Sequence, residues 1–271
     1  MEQITSIKEM QEIELNVLKK IHSFCLSNNI EYFLAYGTLI GAVRHNGFIP
    51  WDDDIDIVML RENYDKFVEL FPDYASEAGL FLANPYSKDH YYPHEYSKVC
   101  DASTVLVERM SKIDSKLGVY VDVFPLDNIP NNLIARRLFH IKTRLFRRLL
   151  NAANTNFATD DYVKHYSFTK RILLRVFHAV PIAWTFRQFE AMIIKYKNYN
   201  SYYVMQVEGA SGAVYEKSWF IRSQLHRFEN EYFCIPNDYD KCLRKIYGDY
   251  MKMPSKDKQI PHHVIDVWKK E

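Results

Sequence analysis

Four aspartates fall within five positions, Asp52, Asp53, Asp54 and Asp56, and "GFIPWDDDIDIVML" (47–60) runs from them straight into apolar residues. Carboxylates this close repel one another, so either a cation offsets them or water surrounds them. Spacing separates three metal-binding patterns. An EF-hand loop begun at Asp52 needs glycine at its sixth position and glutamate at its twelfth, where Ile57 and Asn63 stand. A DDxxD motif (Asp52, Asp53, Asp56), of the prenyl-diphosphate kind, needs a helix, yet Asp-Ile-Asp-Ile-Val-Met has strand period two. The third pattern puts Asp54 and Asp56 on one face of a strand, about 6.6 Å apart at Cα, with Ile55 and Ile57 on the other. Such a pair can converge on one hard cation while the isoleucines bury the strand's back. The plainer alternative is a solvated acidic turn capping a strand.

A second strand-like run, "VYVDVFPLD" (119–127), holds Asp122 among apolar neighbours. A buried carboxylate needs a metal, an arginine or backbone donors. Beside Asp54 and Asp56 it would complete a three-carboxylate site for Mg²⁺ (or Mn²⁺), with room for two ions. Alone, it could simply end its strand on backbone bonds.

The elements that must position these residues read as follows. Ile7, Met10, Ile13, Val17, Ile21, Phe24 and Cys25 predict an opening helix over 5–27. "IEYFLAY" (30–36) reads as a strand, Gly37 as a sharp turn, Thr38 as a cap and "LIGAVRH" as a short helix. "RENYDKFVELF" is a helix expected to stop before Pro72. "LFLANPY", "YSKVCDA" and "VYVDVFPLD" read as strands, 128–200 as helical, and a last helix begins near Asp238. The divisions are a core over 1–127, a basic helical segment over 128–225 and a C-terminal region over 226–271 that packs back on the core.

The formal net charge of +1 conceals a block. Between Asn128 and Phe189, eleven Lys or Arg (136, 137, 142, 144, 147, 148, 164, 170, 171, 175, 187) face only Asp160 and Asp161. In "LIARRLFHIKTRLFRRLL" (133–150), Ile134, Leu138, Ile141, Leu145 and Leu149 form one apolar stripe among the cations, and "RILLRVFHAVPIAWTF" (171–186) adds Trp184. This pattern over 133–186 fits an anionic membrane surface, the alternative being a helix face packed on the core. No nucleic-acid module accompanies the charge, so no nucleic acid is expected. Cys25, Cys100, Cys234 and Cys242 form no metal-ligand spacing and read as core thiols. "MEQITSIKEM" is not a signal peptide and no apolar run reaches 18 residues. The expectation is cytoplasmic, peripheral on the inner face of the membrane where the basic segment attaches.

"YGTLIGAVRHNGFIPWDDDIDIVMLRENYDKF" closely resembles the signature of the LicD family, to which the catalytic domains of fukutin-related proteins are also similar. "VYVDVFPLD" and "FENEYFCIPNDYDKCLRKIYGDYMKMPSKDK" resemble further blocks, with Ser255 where a second proline is frequent. The likeness spans about 30–127 and 228–258. It implies an α+β fold with a nucleotidyltransferase-like mixed sheet, flanking helices and an added helical segment. It also implies transfer of a phospho-alcohol such as phosphocholine from a CDP-linked donor to a glycan or lipid-linked glycan acceptor, releasing CMP. By matched position, Gly37 and Thr38 form the turn, Asp54 and Asp56 the metal pair, Asp122 the third ligand and Asp52 an additional one. Phosphoryl transfer needs charge neutralisation and in-line positioning more than covalent help, which agrees with the carboxylates. Backbone N–H groups at Gly37 and Thr38 could hold phosphate oxygens, and Arg44 and Lys98 are the nearest cations for the leaving group. His45, Trp51 and Tyr247 carry weaker signals, and Tyr247 fits core packing better. Competing readings are a nucleotide-sugar glycosyltransferase, a nucleotidyltransferase releasing pyrophosphate, and a silent binding protein on the same fold.

Overall fold

A computed structural model describes residues 1–107, 111–156, 167–207, 212–261 and 266–270. Asp160, Asp161 and Lys164 of the basic block lie outside them. The described strands are β1 (Glu2–Ile4), β2 (Phe33–Leu34), β3 (Ile55–Leu60), β4 (Leu80–Ala83), β5 (Ser97–Asp101), β6 (Thr104–Val107) and β7 (Tyr120–Asn128), then β8 (Tyr203–Met205), β9 (Tyr215–Glu216), β10 (Ser223–Phe228), β11 (Glu231–Pro236) and β12 (Asp266–Lys269). The α-helices are α1 (Ile7–Ser27), α2 (Tyr36–Ile40), α3 (Arg61–Glu77), α4 (Leu133–Asn154), α5 (Phe168–His178), α6 (Ile182–Ile194) and α7 (Tyr239–Tyr247). No described helix is long and apolar enough to cross a membrane.

The central sheet runs β2-β3-β7-β5-β4, with β8 on β7 and β9 on β8. Only β3 and β7 are parallel; the other pairings are antiparallel. The fold is α+β with a mixed sheet, as expected. β3 alternates as its period requires. Ile55, Ile57 and Met59 are buried with Val121 and Val123 against Val17, Leu18, Ile21 and Phe24 of α1 and Phe67 and Phe71 of α3. Val58 joins Phe124 and Leu126 in a separate cluster with Val204, Tyr215 and Phe220. Asp56 and Asp122 belong to this second face, two residues before Val58 and Phe124.

Three expectations need correction. Only Phe33 and Leu34 of the run 30–36 pair with β3, because Tyr36 turns to a φ of +47° and ends the extended stretch. The next helix opens at Tyr36, before Gly37, and continues as a π-helical turn over Gly41–His45, so Thr38 sits inside the first turn and caps nothing. α3 does not stop at Pro72 but runs to Glu77, since Phe71 and Ala75 bury on the core beyond the missing N–H. The sequence pattern also predicts none of the short strands β1, β6 and β8–β12. β12 lies between β1 and β6, and α7 packs on α2, so the end of the chain closes against its beginning. All four cysteines are buried.

Candidate active site

Parallel pairing places Asp56 opposite Asp122, and antiparallel pairing places Lys98 opposite Asp122. Three adjacent strands thus carry Asp56, Asp122 and Lys98 in one row, at strand spacings of about 4.8 Å. Lys98 Nζ donates to Asp122 Oδ1 at 2.8 Å, and both side chains are nearly sealed from water. The ammonium also lies 3.4 Å from the Tyr120 ring centroid and 5.3 and 5.5 Å from those of Tyr92 and Tyr96.

Asp52, Asp53 and Asp54 arrive on the segment leading into β3. Their carboxylate oxygens come within 4.8 Å of one another, with Asp52 and Asp53 buried and Asp54 half-buried. That tight group takes in Asp54 but neither Asp56 nor Asp122. Asp56 is tied to it by charge: burial raises its carboxyl well above the usual range, and Asp54, Asp122 and Asp52 raise it further against the pull of Lys98. Thr38 has a defined task here, because its hydroxyl accepts from the Asp56 N–H at 2.8 Å and fixes the start of β3 to α2. Gly37 serves by lacking a side chain: a Cβ there would stand 2.7 Å from Asp52 Oδ2. Gln11 Nε2 donates to the Asp52 carbonyl at 2.8 Å.

Arg44 is committed elsewhere in part. Its Nη1 donates to the Tyr250 carbonyl at 2.7 Å and its Nε to His45 Nδ1 at 3.4 Å, while burial lowers its pKa against the opposing charge of Asp52. Trp51 is half-buried against the main core. Tyr247 departs from the core-packing expectation, being 43% exposed. Its hydroxyl is nonetheless pushed up by burial and then by Asp56, Asp52 and Asp54, which puts it on the acidic side.

Two further acids join the site: Asp53, which the sequence places in the acidic cluster without a role, and Glu14, which it does not single out. Asp53 belongs to the tight group. Glu14, on α1, is 1% exposed, and its Oε2 has no hydrogen-bond partner. Burial raises its pKa most, followed by Asp54, Asp53, Asp52 and Asp122, so it faces the same cluster. The signal was present: Glu14 sits four residues after Met10 and three before Val17, a core position of an amphipathic helix holding a charge.

Among the described residues, six carboxyl groups gather near Lys98 and Arg44, and the buried Glu14 Oε2 faces them without a hydrogen-bond partner. An all-oxygen, hard donor set of this kind fits Mg²⁺ or Mn²⁺. We expect Gly37→Ala to displace the Asp52 carboxylate and weaken metal affinity roughly tenfold or more. Turnover titrated against metal should recover at excess cation. Gly79→Ala (φ +68°, nothing within 4 Å) serves as a stability control with unchanged metal response. Equal metal response in both variants would remove Asp52 from the site.

A mixed sheet bearing paired strand carboxylates, entered through a Gly-Thr helical turn, defines a nucleotidyltransferase-like domain. The family model "LicD/FKTN/FKRP, nucleotidyltransferase domain" matches residues 29–147, a range holding every sequence-predicted site residue. The match falls on the block whose sequence resembles the LicD family. It is 29% identical to the lipopolysaccharide cholinephosphotransferase LicD of Haemophilus influenzae over 267 residues, covering 97% of this chain and 98% of that one. An uncharacterized protein of Rickettsia typhi is 41% identical over 69 residues, 25% of this chain and 22% of its own. Mannosyltransferase regulator 4 of Saccharomyces cerevisiae is 27% identical over 129 residues, 44% of this chain and 10% of its own.

Proposed function

We propose that this protein is a LicD-like phosphotransferase that moves a phospho-alcohol group, phosphocholine foremost, from a CDP-linked donor to a hydroxyl of a cell-surface glycan or its lipid-linked precursor, releasing CMP. The observation that carries the reading is the near end-to-end match to a cholinephosphotransferase. The convergence of carboxylates within the matched domain supports it chemically. Asp54, Asp56 and Asp122 would hold Mg²⁺ or Mn²⁺, with Asp52 as a further ligand. The cation would supply neutralisation of charge on the donor diphosphate.

The chain's own residues do the positioning. Thr38 fixes the backbone of Asp56, Gly37 leaves room for the Asp52 carboxylate, and Lys98 orients Asp122 through their ion pair. Gly37, Thr38 and Arg44 are assigned to the donor's phosphates, whereas Lys98, expected there from the sequence, is sealed against Asp122 and acts through that carboxylate. We assign catalysis to 1–127, the basic helical segment to 128–225 and closure of the core to 226–271, and place the reaction at the inner face of a membrane.

The test is incubation with CDP-choline, CTP and UDP-sugars, Mg²⁺ and lipopolysaccharide acceptor. CMP should form from the CDP-linked donor, with phosphate label passing to the acceptor. UDP release would make the enzyme a glycosyltransferase, and pyrophosphate release from CTP a nucleotidyltransferase. No product from CDP-choline, CDP-ethanolamine, CDP-ribitol or CDP-glycerol would leave a binding protein on this fold.

A further inference from the structure

α4 has two apolar faces, and the fold uses only one. Asn132 caps the helix by accepting from the Ile134 and Ala135 N–H groups at 3.0 and 3.1 Å. Phe139, Thr143 and Leu150 then bury, with Phe139 and Leu150 packed against Phe186, Phe189 and Ile193 of α6. At about 100° per residue the opposite side carries Ile134, Leu138, Ile141 and Leu145, spaced four, three and four apart. These four side chains are 69%, 54%, 66% and 52% exposed. The alternative in which this stripe packs on the core is therefore overturned for them; Leu149, at the inner end, is half-buried.

The flanks of the stripe are cationic. Arg137, Arg144 and Arg148 project on one side and Lys142 on the other, all exposed. Neither α4 nor α5 contains an acidic residue. α5 leaves Ile172 and Val176 in solvent beside exposed Arg171 and Arg175, and α6 leaves Trp184 at 52% exposure. A water-facing aliphatic stripe has no use to a folded chain, and cations on both flanks without acids select against a partner of like charge.

We infer that the exposed face of α4, with its cationic flanks, docks on a lipid bilayer bearing anionic headgroups. Ile134, Leu138, Ile141 and Leu145 enter the boundary between headgroups and acyl chains, while Arg137, Lys142, Arg144 and Arg148 meet the phosphates. Charge complementarity chooses the bilayer over a second copy of the chain, whose same face would present the same cations. The inference deepens the placement of the reaction at a membrane, and its test needs neither donor nor turnover.

Flotation with vesicles of phosphatidylcholine alone, or with about 30% phosphatidylglycerol, at low and high salt reads partitioning directly. Wild type should bind the anionic vesicles at low salt and lose most of that binding at high salt. Ile141→Asp/Leu145→Asp should partition at least about tenfold more weakly, and Arg137→Glu/Arg144→Glu should lose the preference for anionic vesicles. Circular dichroism and an unchanged unfolding midpoint confirm that both variants fold. Three results would overturn the inference: no binding to anionic vesicles at low salt, undiminished binding by the stripe variant, or a wild-type dimer in light scattering that the stripe variant dissolves. RNA that displaces the vesicles, and is held by wild type and the stripe variant but lost by Arg137→Glu/Arg144→Glu, would likewise overturn it and assign the cationic flanks to nucleic acid.

Discussion

Asp54→Asn, Asp56→Asn and Asp122→Ala are each expected to lower turnover by about 10³-fold or more, a loss of roughly 4 kcal/mol of transition-state stabilisation. The fold should survive Asp54→Asn and Asp56→Asn at little cost, whereas Asp122→Ala leaves Lys98 buried without its partner and should cost about 3–5 kcal/mol, so its turnover is read at a temperature where the variant is folded. Metal-free stability should move in the opposite direction for Asp56. Its carboxyl is held above the usual range in the folded chain, by burial first and then by Asp54 and Asp122. A raised carboxyl penalises the native state once pH exceeds the unfolded value of about 4, and the penalty grows until the folded value is passed. Asp56→Asn removes it, so in EDTA the variant should unfold at a higher temperature than wild type at pH 7, and the difference should close below about pH 4. Added Mg²⁺ should raise the wild-type midpoint and leave that of the variant nearly still. Full turnover by any of the three variants, or by wild type in excess EDTA, would end the metal reading.

Lys98→Met should cost about 3–5 kcal/mol of stability, the usual result of removing one partner from a buried ion pair. Lys98 is 2% exposed, bonded to Asp122 at 2.8 Å and enclosed by Tyr92, Tyr96 and Tyr120, so water cannot replace it. It also opposes the acids that raise Asp56. The double variant Lys98→Met/Asp122→Asn should regain most of the stability, because no unpaired charge remains, yet stay inactive. Urea unfolding of wild type, both single variants and the double gives the coupling between the two residues. A single-variant loss below about 1 kcal/mol would show that the pair behaves as a solvated one.

How much of this was legible follows from the range over which each residue acts. The alternation Asp-Ile-Asp-Ile named β3 and its two faces because side-chain direction in a strand is a local property. The opening helix, the last helix and the three main strands were readable on the same ground. The cationic stripe of α4 was also visible, but not whether it faced water.

Where local signals competed with packing, the sequence misled. Pro72 ends helices in isolation, yet Phe71 and Ala75 carry α3 past it on the core. Thr38 has the composition of a cap and instead receives the Asp56 N–H. Tyr247 looked like core and stands half in water beside the acids. Glu14 lies 40 residues from Asp54 in the chain, and only the packing of α1 against the sheet brings it to the cluster.

By itself the sequence offered Asp54, Asp56 and Asp122 as the candidates for chemistry, from their types and spacing, although β3 begins only at Ile55 and leaves Asp54 on the segment before it. Tertiary structure alone decided that β3 and β7 run parallel with Asp56 opposite Asp122, that Lys98 shares the row, and which face of α4 is left in water. Register and burial are set by contacts between segments far apart in the chain, and no local pattern encodes the energy of those contacts.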